Sequence, residues 1–319
     1  GVCPAYSDCR MGLSPDRFIL SYCDRALGIT SAEEQPVLPK GNNLSLHLLE
    51  LFTSQVAKVG MTDGIRQVLQ EESDALRAYY EQAGILIARP AGGTSCRLAI
   101  SAKGGTNAEN HNHNDVGSYA VALGSETMVG DQGGPNSYPG DYFNGDAPQK
   151  YKIKGSFGHP VPVVDGRTQS SGGKAKGVVL QKEFTNEKDV FSIDYTSAYS
   201  TPNLDKLIRT FVYDRQGKGN FTVGDEFTAK TPIRFETAIT TRADWKVLDD
   251  THLLLATDSE QMIVAIDASG KVAFTSETIE VNSPVYTYRD CIEESVERRI
   301  YPIEDVHKIS LCIRYMKYL

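Results

Sequence analysis

Two of the chain's six histidines stand two residues apart in Asn110-His111-Asn112-His113-Asn114-Asp115, among small hydrogen-bonding side chains. On a strand, both imidazoles would point to one face. Such a pair can hold one metal ion, or it can divide labour, one ring binding metal while the other moves protons. The plainer alternative is two surface histidines in a polar loop. Downstream lie Val116 to Gly124, Thr127 to Gly134, and Ser156 to Gly166, whose apolar segments alternate or run short between glycines, as strands do. His113, Asp131 and His159 therefore fall at or near predicted strand ends, where a sheet could bring them together. Two imidazoles and a carboxylate make a sound three-ligand zinc set. Asp131, shortly before Gly133 and Gly134, is also an ordinary turn residue.

At these residues the chain resembles the C-terminal domain of the heparinase II/III family of polysaccharide lyases, whose relatives include alginate and oligoalginate lyases. His111 to Ser118 (His-Asn-His-Asn-Asp-Val-Gly-Ser) resembles the family's signature. Asp131 and its glycines fall where a zinc-ligand aspartate is expected, and Ser156 to Gly166 resembles the family's Gly-His-x-Val-Pro segment. The resemblance implies that His111 is the catalytic histidine and that His113, Asp131 and His159 hold a structural zinc, its fourth place taken by a water or a further side chain. It further implies β-elimination on a uronic-acid-containing polysaccharide, in a periplasmic or secreted protein. The specific motifs lie between about residues 107 and 166, and the broader likeness extends along the chain.

Composition fits without deciding. With 319 residues, 40% hydrophobic and 23% charged, the chain can bury one large core or two smaller ones. No apolar run approaches the roughly 18 residues of a membrane span. Gly1-Val-Cys-Pro carries neither an initiator Met nor a signal-peptide pattern, so a processed or truncated start is expected. Cys3, Cys9, Cys23, Cys96, Cys291 and Cys312 are scattered without a CxxC pair and read as buried or free thiols, a Cys3–Cys9 bridge being the one alternative.

Two unequal parts must position the candidate residues. Residues 1–83 carry helical patterns. Ser14-Pro15-Asp16 offers an N-cap, a proline at N1 and an acidic first turn, with Gly28 as the stop. Leu44, Leu48, Leu51, Phe52 and Val56 mark a second helix, and Ile65, Val68, Leu69, Leu76 and Tyr79 or Tyr80 a third. Residues 84–319 are rich in Val, Ile, Thr, Tyr and Phe in short runs, such as Val178-Val179-Leu180, Phe191 to Tyr195, Phe221 to Val223 and Met262 to Ile266. The expected fold is thus mainly β, a large antiparallel β-sandwich preceded by a short α-helical segment. Ser170 to Lys174 reads as a flexible loop.

The family resemblance also implies a large (α/α) toroid in front of the sandwich, which supplies further catalytic groups. Some 80 helical residues are too few for it, so they match only its C-terminal end, and a fragment with an incomplete active site is expected. None of the sixteen tyrosines is assigned the missing role.

The formal net charge of −8 opposes long-range attraction of a polyanion, so an anionic glycan needs a concentrated basic patch, and neither nucleic acid nor membrane is an expected partner. Lys150, Lys152 and Lys154 alternate with Tyr151 and Ile153, which on a strand places three ammonium groups on one face. The plainer alternative is the solvated outer face of an amphipathic strand. Tyr138, Tyr142 and Phe143, in a Gly/Pro/Asp-rich loop, could stack on sugar rings or simply pack locally. His47 sits in a leucine-rich helical pattern, while His252 and His307, the latter in a polar turn, lack ligand partners at recognisable spacing.

Three rival readings differ in class. His111-x-His113-x-Asp115 resembles the opening of the metallo-β-lactamase motif, which implies a zinc-dependent hydrolase, but Val116 stands where its next histidine belongs. A cupin would need a Glu where Gly117-Ser118-Tyr119 stand. The third is a non-catalytic, zinc-stapled, glycan-binding β-sandwich.

Overall fold

The computed structural model describes residues 6–9, 76–131, 133–135, 138–269, 272–280 and 305–314. His47, Cys3 and the helices expected up to residue 75 lie outside them. The described residues belong to one unit comprising Gly1–Gly12 and Leu76–Leu319.

Five antiparallel strands make the first sheet. These are β1 (Arg77–Tyr80), β2 (Ile85–Ala88), β3 (Leu98–Lys103), β5 (Tyr119–Leu123) and β6 (Glu126–Val129), in that spatial order. The short β4 (Thr106–Asn107) lies between β3 and β5 in sequence and starts the loop bearing the paired histidines. The expectation of a helix through Tyr79 and Tyr80 is corrected here. Tyr80 pairs with Ile85 across a tight turn in which Gly84 takes φ +62°, so the apolar residues from Leu86 onward zip the segment into a hairpin.

After the short β7 (Val163–Val164), β8 (Gly172–Lys176) pairs with β4, so the flexible loop expected around Ser170–Lys174 is strand for most of its length. The second sheet contains β9 (Val178–Phe184), β10 (Lys188–Asp194), β11 (Leu204–Asp214) and β12 (Asn220–Ala229), ordered β12-β11-β10-β9. Next come β13 (Arg234–Thr241), a three-stranded meander of β14 (Asp244–Asp249), β15 (His252–Ala256) and β16 (Gln261–Ala265), then β17 (Val272–Glu280) and β18 (Asp305–Arg314). The sheet order β17-β18-β13-β7 places His307 within β18, opposite Thr241, and not in the turn expected for it.

The core lies between the first two sheets. On β11 the buried face reads Leu207, Arg209, Phe211, Tyr213, a period of two with one charged residue in the row. Phe211 stacks on Phe191 and Phe221 of the flanking strands, and Tyr119 of the opposite sheet approaches to 6.2 Å. Tyr213 Oη crosses the layers to donate to the Leu98 carbonyl. This is the antiparallel β-sandwich the sequence pattern predicts. Among the described residues the only α-helix is one turn, α1 (Ala147–Lys150), and no helix is long and apolar enough to cross a membrane.

Candidate metal and proton-transfer site

The paired histidines occupy a loop between β4 and β5, not a strand. His111 sits in the left-handed region at φ +57°, and this twist separates two rings that a strand would align. The His111 side chain is 65% exposed and that of His113 is fully buried. A buried polar lattice holds the loop in place. The Gln169 side chain accepts from the Val116 N–H and donates to the Val116 carbonyl, as a neighbouring strand would. Asn107 receives the Asp115 N–H, and Ser156 Oγ donates to the Asn114 carbonyl. Asp115 pairs with buried Lys103 at 2.6 Å, and burial, which alone would lower the lysine's pKa, is outweighed by that carboxylate.

Asp131 follows the end of β6 by two residues, where Gly133 N–H donates to its Oδ1. His159 follows a single 3₁₀ turn, Ser156–Gly158. These elements bring His113, Asp131 and His159 together, all buried, with one donor atom from each within 4.8 Å of the others. Sequence spacing anticipated this meeting, although His113 and His159 reach it from loops.

The proton positions follow from acceptor chemistry. Asp8, an ionised carboxylate, only accepts, so His113 Nε2 at 3.0 Å carries a hydrogen toward it. Burial is the main cause holding the His113 pKa below the usual imidazole value, so the ring is neutral and its Nδ1 is bare. That Nδ1 is buried and has no hydrogen-bond partner, and neither has His159 Nε2. His159 Nδ1 lies 2.8 Å from Asp131 Oδ2. Burial opposes the charge on His159, yet Asp131 holds its pKa above the usual value, and the same contact holds Asp131 low against its own burial. Two orphaned, buried ring nitrogens and a buried carboxylate form a donor set that fits a cation.

Arg209 ties the two histidine-bearing loops to the second sheet. Its Nη1 donates to the carbonyls of Gly117 (2.8 Å), four residues after His113, and Pro160 (2.7 Å), next to His159. Nε and Nη2 grip Asp225, the cross-strand partner on β12, and Nη2 also reaches Thr237, so all five N–H donors are engaged. Gly117 adopts φ +88°, which a side chain rarely tolerates, with Tyr195 packed beneath it.

The expected basic patch does not form. Lys150 ends α1 and pairs with Asp141, Lys152 pairs with Glu277 on β17, and Lys154 is buried, its Nζ donating to the Tyr142 carbonyl beneath the rings of Tyr142 and Phe143. Pro148 starts a helical turn that breaks the alternation a strand requires. Tyr142 is also fully buried, with its hydroxyl 3.2 Å from His113 Nε2, so it packs within the site and cannot stack on a sugar. Tyr138 and Phe143 are the exposed rings of that loop, and Phe143 lies 5.3 Å from the His111 ring.

Sequence reasoning missed Asp8, Gln169 and the Arg209–Asp225 pair. Arg209 left one detectable trace, a charge on the buried face of an alternating strand. Asp8 left none.

Fold and site thus define a β-sandwich that holds a buried His/Asp/His donor set beside an exposed histidine. Solved structures share this fold. A heparan sulfate lyase, HepC of Pedobacter heparinus, aligns with a TM-score of 0.60 at 13% identity, over 98% of this chain and 44% of its own. A crystal structure of heparinase III aligns with a TM-score of 0.56 at 15% identity, over 75% of this chain and 34% of its own. The chain therefore has a heparinase-like fold and spans less than half the length of these neighbours. No protein-family model and no curated protein sequence matches it.

Proposed function

We propose that the chain carries the sandwich part of a polysaccharide lyase that cleaves a uronic-acid-containing glycan by β-elimination. The observation that carries this reading is an exposed imidazole, His111, anchored beside a buried three-donor set on a heparinase-like fold. In the elimination, a base takes the C5 proton of the uronate and the electron pair becomes the C4–C5 double bond. The C4–O bond breaks, and an acid protonates the departing oxygen. An imidazole titrates close enough to neutrality to serve in either transfer. With Nδ1 held by Asp8, Nε2 is the nitrogen available to His111. Tyr138 and Phe143 offer the apolar faces against which a pyranose ring can lie.

His113, Asp131 and His159 would hold one structural zinc, which when bound neutralises the buried carboxylate and locks the loops. Heparan sulfate, chondroitin, hyaluronan and alginate all contain the required uronate. A periplasmic or secreted location suits a polymer that does not cross membranes.

The test combines metal analysis of the unchelated protein with a panel of these polymers, read by the ultraviolet absorbance of the unsaturated uronate. Zinc near one per chain together with unsaturated product, at the low rate expected of the sandwich part alone, supports the reading. New reducing ends without a double bond would instead mark a zinc hydrolase, and binding without cleavage a glycan-binding sandwich.

A further inference from the structure

The segment Tyr6–Cys9 straps across the metal-donor site from a sequence distance of about a hundred residues. Tyr6 Oη donates to Ser101 Oγ on β3, and Gly134 N–H donates to the Cys9 carbonyl. A Cβ on Gly134 would lie 2.9 Å from Asp8 Cα, so glycine there lets the strap pass. Between these anchors the Asp8 carboxylate, 7% exposed, divides its oxygens between the two histidines. Oδ2 lies 2.8 Å from His111 Nδ1 and Oδ1 lies 3.0 Å from His113 Nε2.

From this geometry we infer that Asp8 is a positioning residue, a single carboxylate that sets the tautomer of both histidines. By accepting from His111 Nδ1–H, it leaves the exposed ring with a bare Nε2. By accepting from His113 Nε2–H, it leaves the buried ring with a bare Nδ1 for the metal-donor set. One side chain thereby couples the donor site to the proton-transfer ring, which is how a carboxylate behind an imidazole raises ligand basicity and fixes ring orientation. No neutral side chain of the same size can do this. An asparagine at position 8 offers one acceptor oxygen and one donating amide, so it satisfies one ring and turns its donor toward the other. The proposed chemistry at His111 and the zinc on His113 rest on the lyase reading; the two tautomers do not.

The experiment uses the full 319-residue chain with ¹⁵N-labelled histidine, metal-free and at mildly alkaline pH, with long-range ¹H–¹⁵N correlation of the ring nitrogens. The expected result is His111 protonated on Nδ1 and His113 on Nε2. In Asp8→Asn at least one ring should change tautomer, and zinc affinity by chelator competition should fall about 10- to 100-fold, as for loss of an outer-shell carboxylate. His111→Gln should leave the His113 tautomer and zinc affinity unchanged. A wild-type His111 protonated on Nε2 overturns the proposal even if Asp8→Asn does not fold, and so does an Asp8→Asn chain with both tautomers and zinc affinity retained. Both expected tautomers in a chain that binds neither zinc nor any uronate polymer would uphold Asp8 and count against the lyase. Unsaturated product with His111 protonated on Nε2 would do the reverse.

Discussion

Residue chemistry separates two histidines that the sequence presents as a pair. His111 is exposed and bonded through one nitrogen, whereas His113 is buried within the donor set. Their substitutions should therefore diverge. His113→Ala is expected to lower both zinc content and Tm, because a structural metal contributes directly to folding. His111→Ala, assayed in a lyase-active form of the protein, should lower turnover by about 10²- to 10⁴-fold while zinc content and Tm stay near wild type. Zinc lost along with activity in His111→Ala would make that ring a ligand and favour a hydrolase. Acid should also act through this cluster. Burial alone would raise the pKa values of Asp8 and Asp131, but the hydrogen bonds of Asp8 with His113 and His111, and the charge and hydrogen bond of His159 at Asp131, hold both carboxyls below their ordinary value. A folded pKa below the unfolded one contributes stability that is fully present above the unfolded value and is lost as pH falls through the folded one. The Tm of the chelated chain should thus decline as pH drops below about 4, and Asp8→Asn should flatten part of that decline. A profile unchanged by Asp8→Asn would show that this carboxylate contributes nothing to acid stability.

At the scale of elements, the site is two loops held against a sheet. The His111–Ser118 loop and the His159-Pro160 turn both hang from Arg209 on β11, through the Gly117 and Pro160 carbonyls. Arg209 is buried in the otherwise apolar row of Leu207, Phe211 and Tyr213. A charge placed there is tolerated because every donor is matched and Asp225 lies directly across on β12. Arg209→Leu leaves Asp225 with the Tyr195 hydroxyl but no counter-charge, strips two carbonyls of their donor, and should cost about 3–5 kcal/mol in chemical denaturation. Arg209→Leu combined with Asp225→Leu should recover part of that loss. If the double variant is no more stable than Arg209→Leu alone, the arginine acts through the loop carbonyls and not through its ion pair.

For the whole molecule, the surface around His111 bears on how much catalysis the described residues support. Elimination is helped when a cation neutralises the uronate carboxylate, and the lysines of residues 150–154 do not offer one. Lys150 and Lys152 are engaged by Asp141 and Glu277, and Lys154 is buried beneath two rings. The 319-residue chain alone is therefore expected to form little unsaturated product on heparan sulfate, chondroitin, hyaluronan or alginate, even when loaded with zinc. Robust turnover on any of these polymers would show that the sandwich already holds a complete site.

The sequence by itself determined the sandwich and singled out the three residues that meet in the buried His/Asp/His cluster. Strands such as β10, β12 and β16 were legible because one half-buried face imposes a period of two on adjacent residues, a purely local mark. His113, Asp131 and His159 were legible because few residue types can ligate a metal, so their types survive any rearrangement of the backbone between them. Only the tertiary structure decided where the side chains point. The left-handed turn at His111 sent one ring outward and its neighbour inward, and α1 scattered the three lysines that alternation would have aligned. Tyr79 and Tyr80 became strand because the hairpin with β2 outweighed a helical spacing. Asp8 reaches His111 and His113 across more than a hundred residues. Convergence of that kind is set by how the chain closes on itself in space, and local periodicity carries no trace of it.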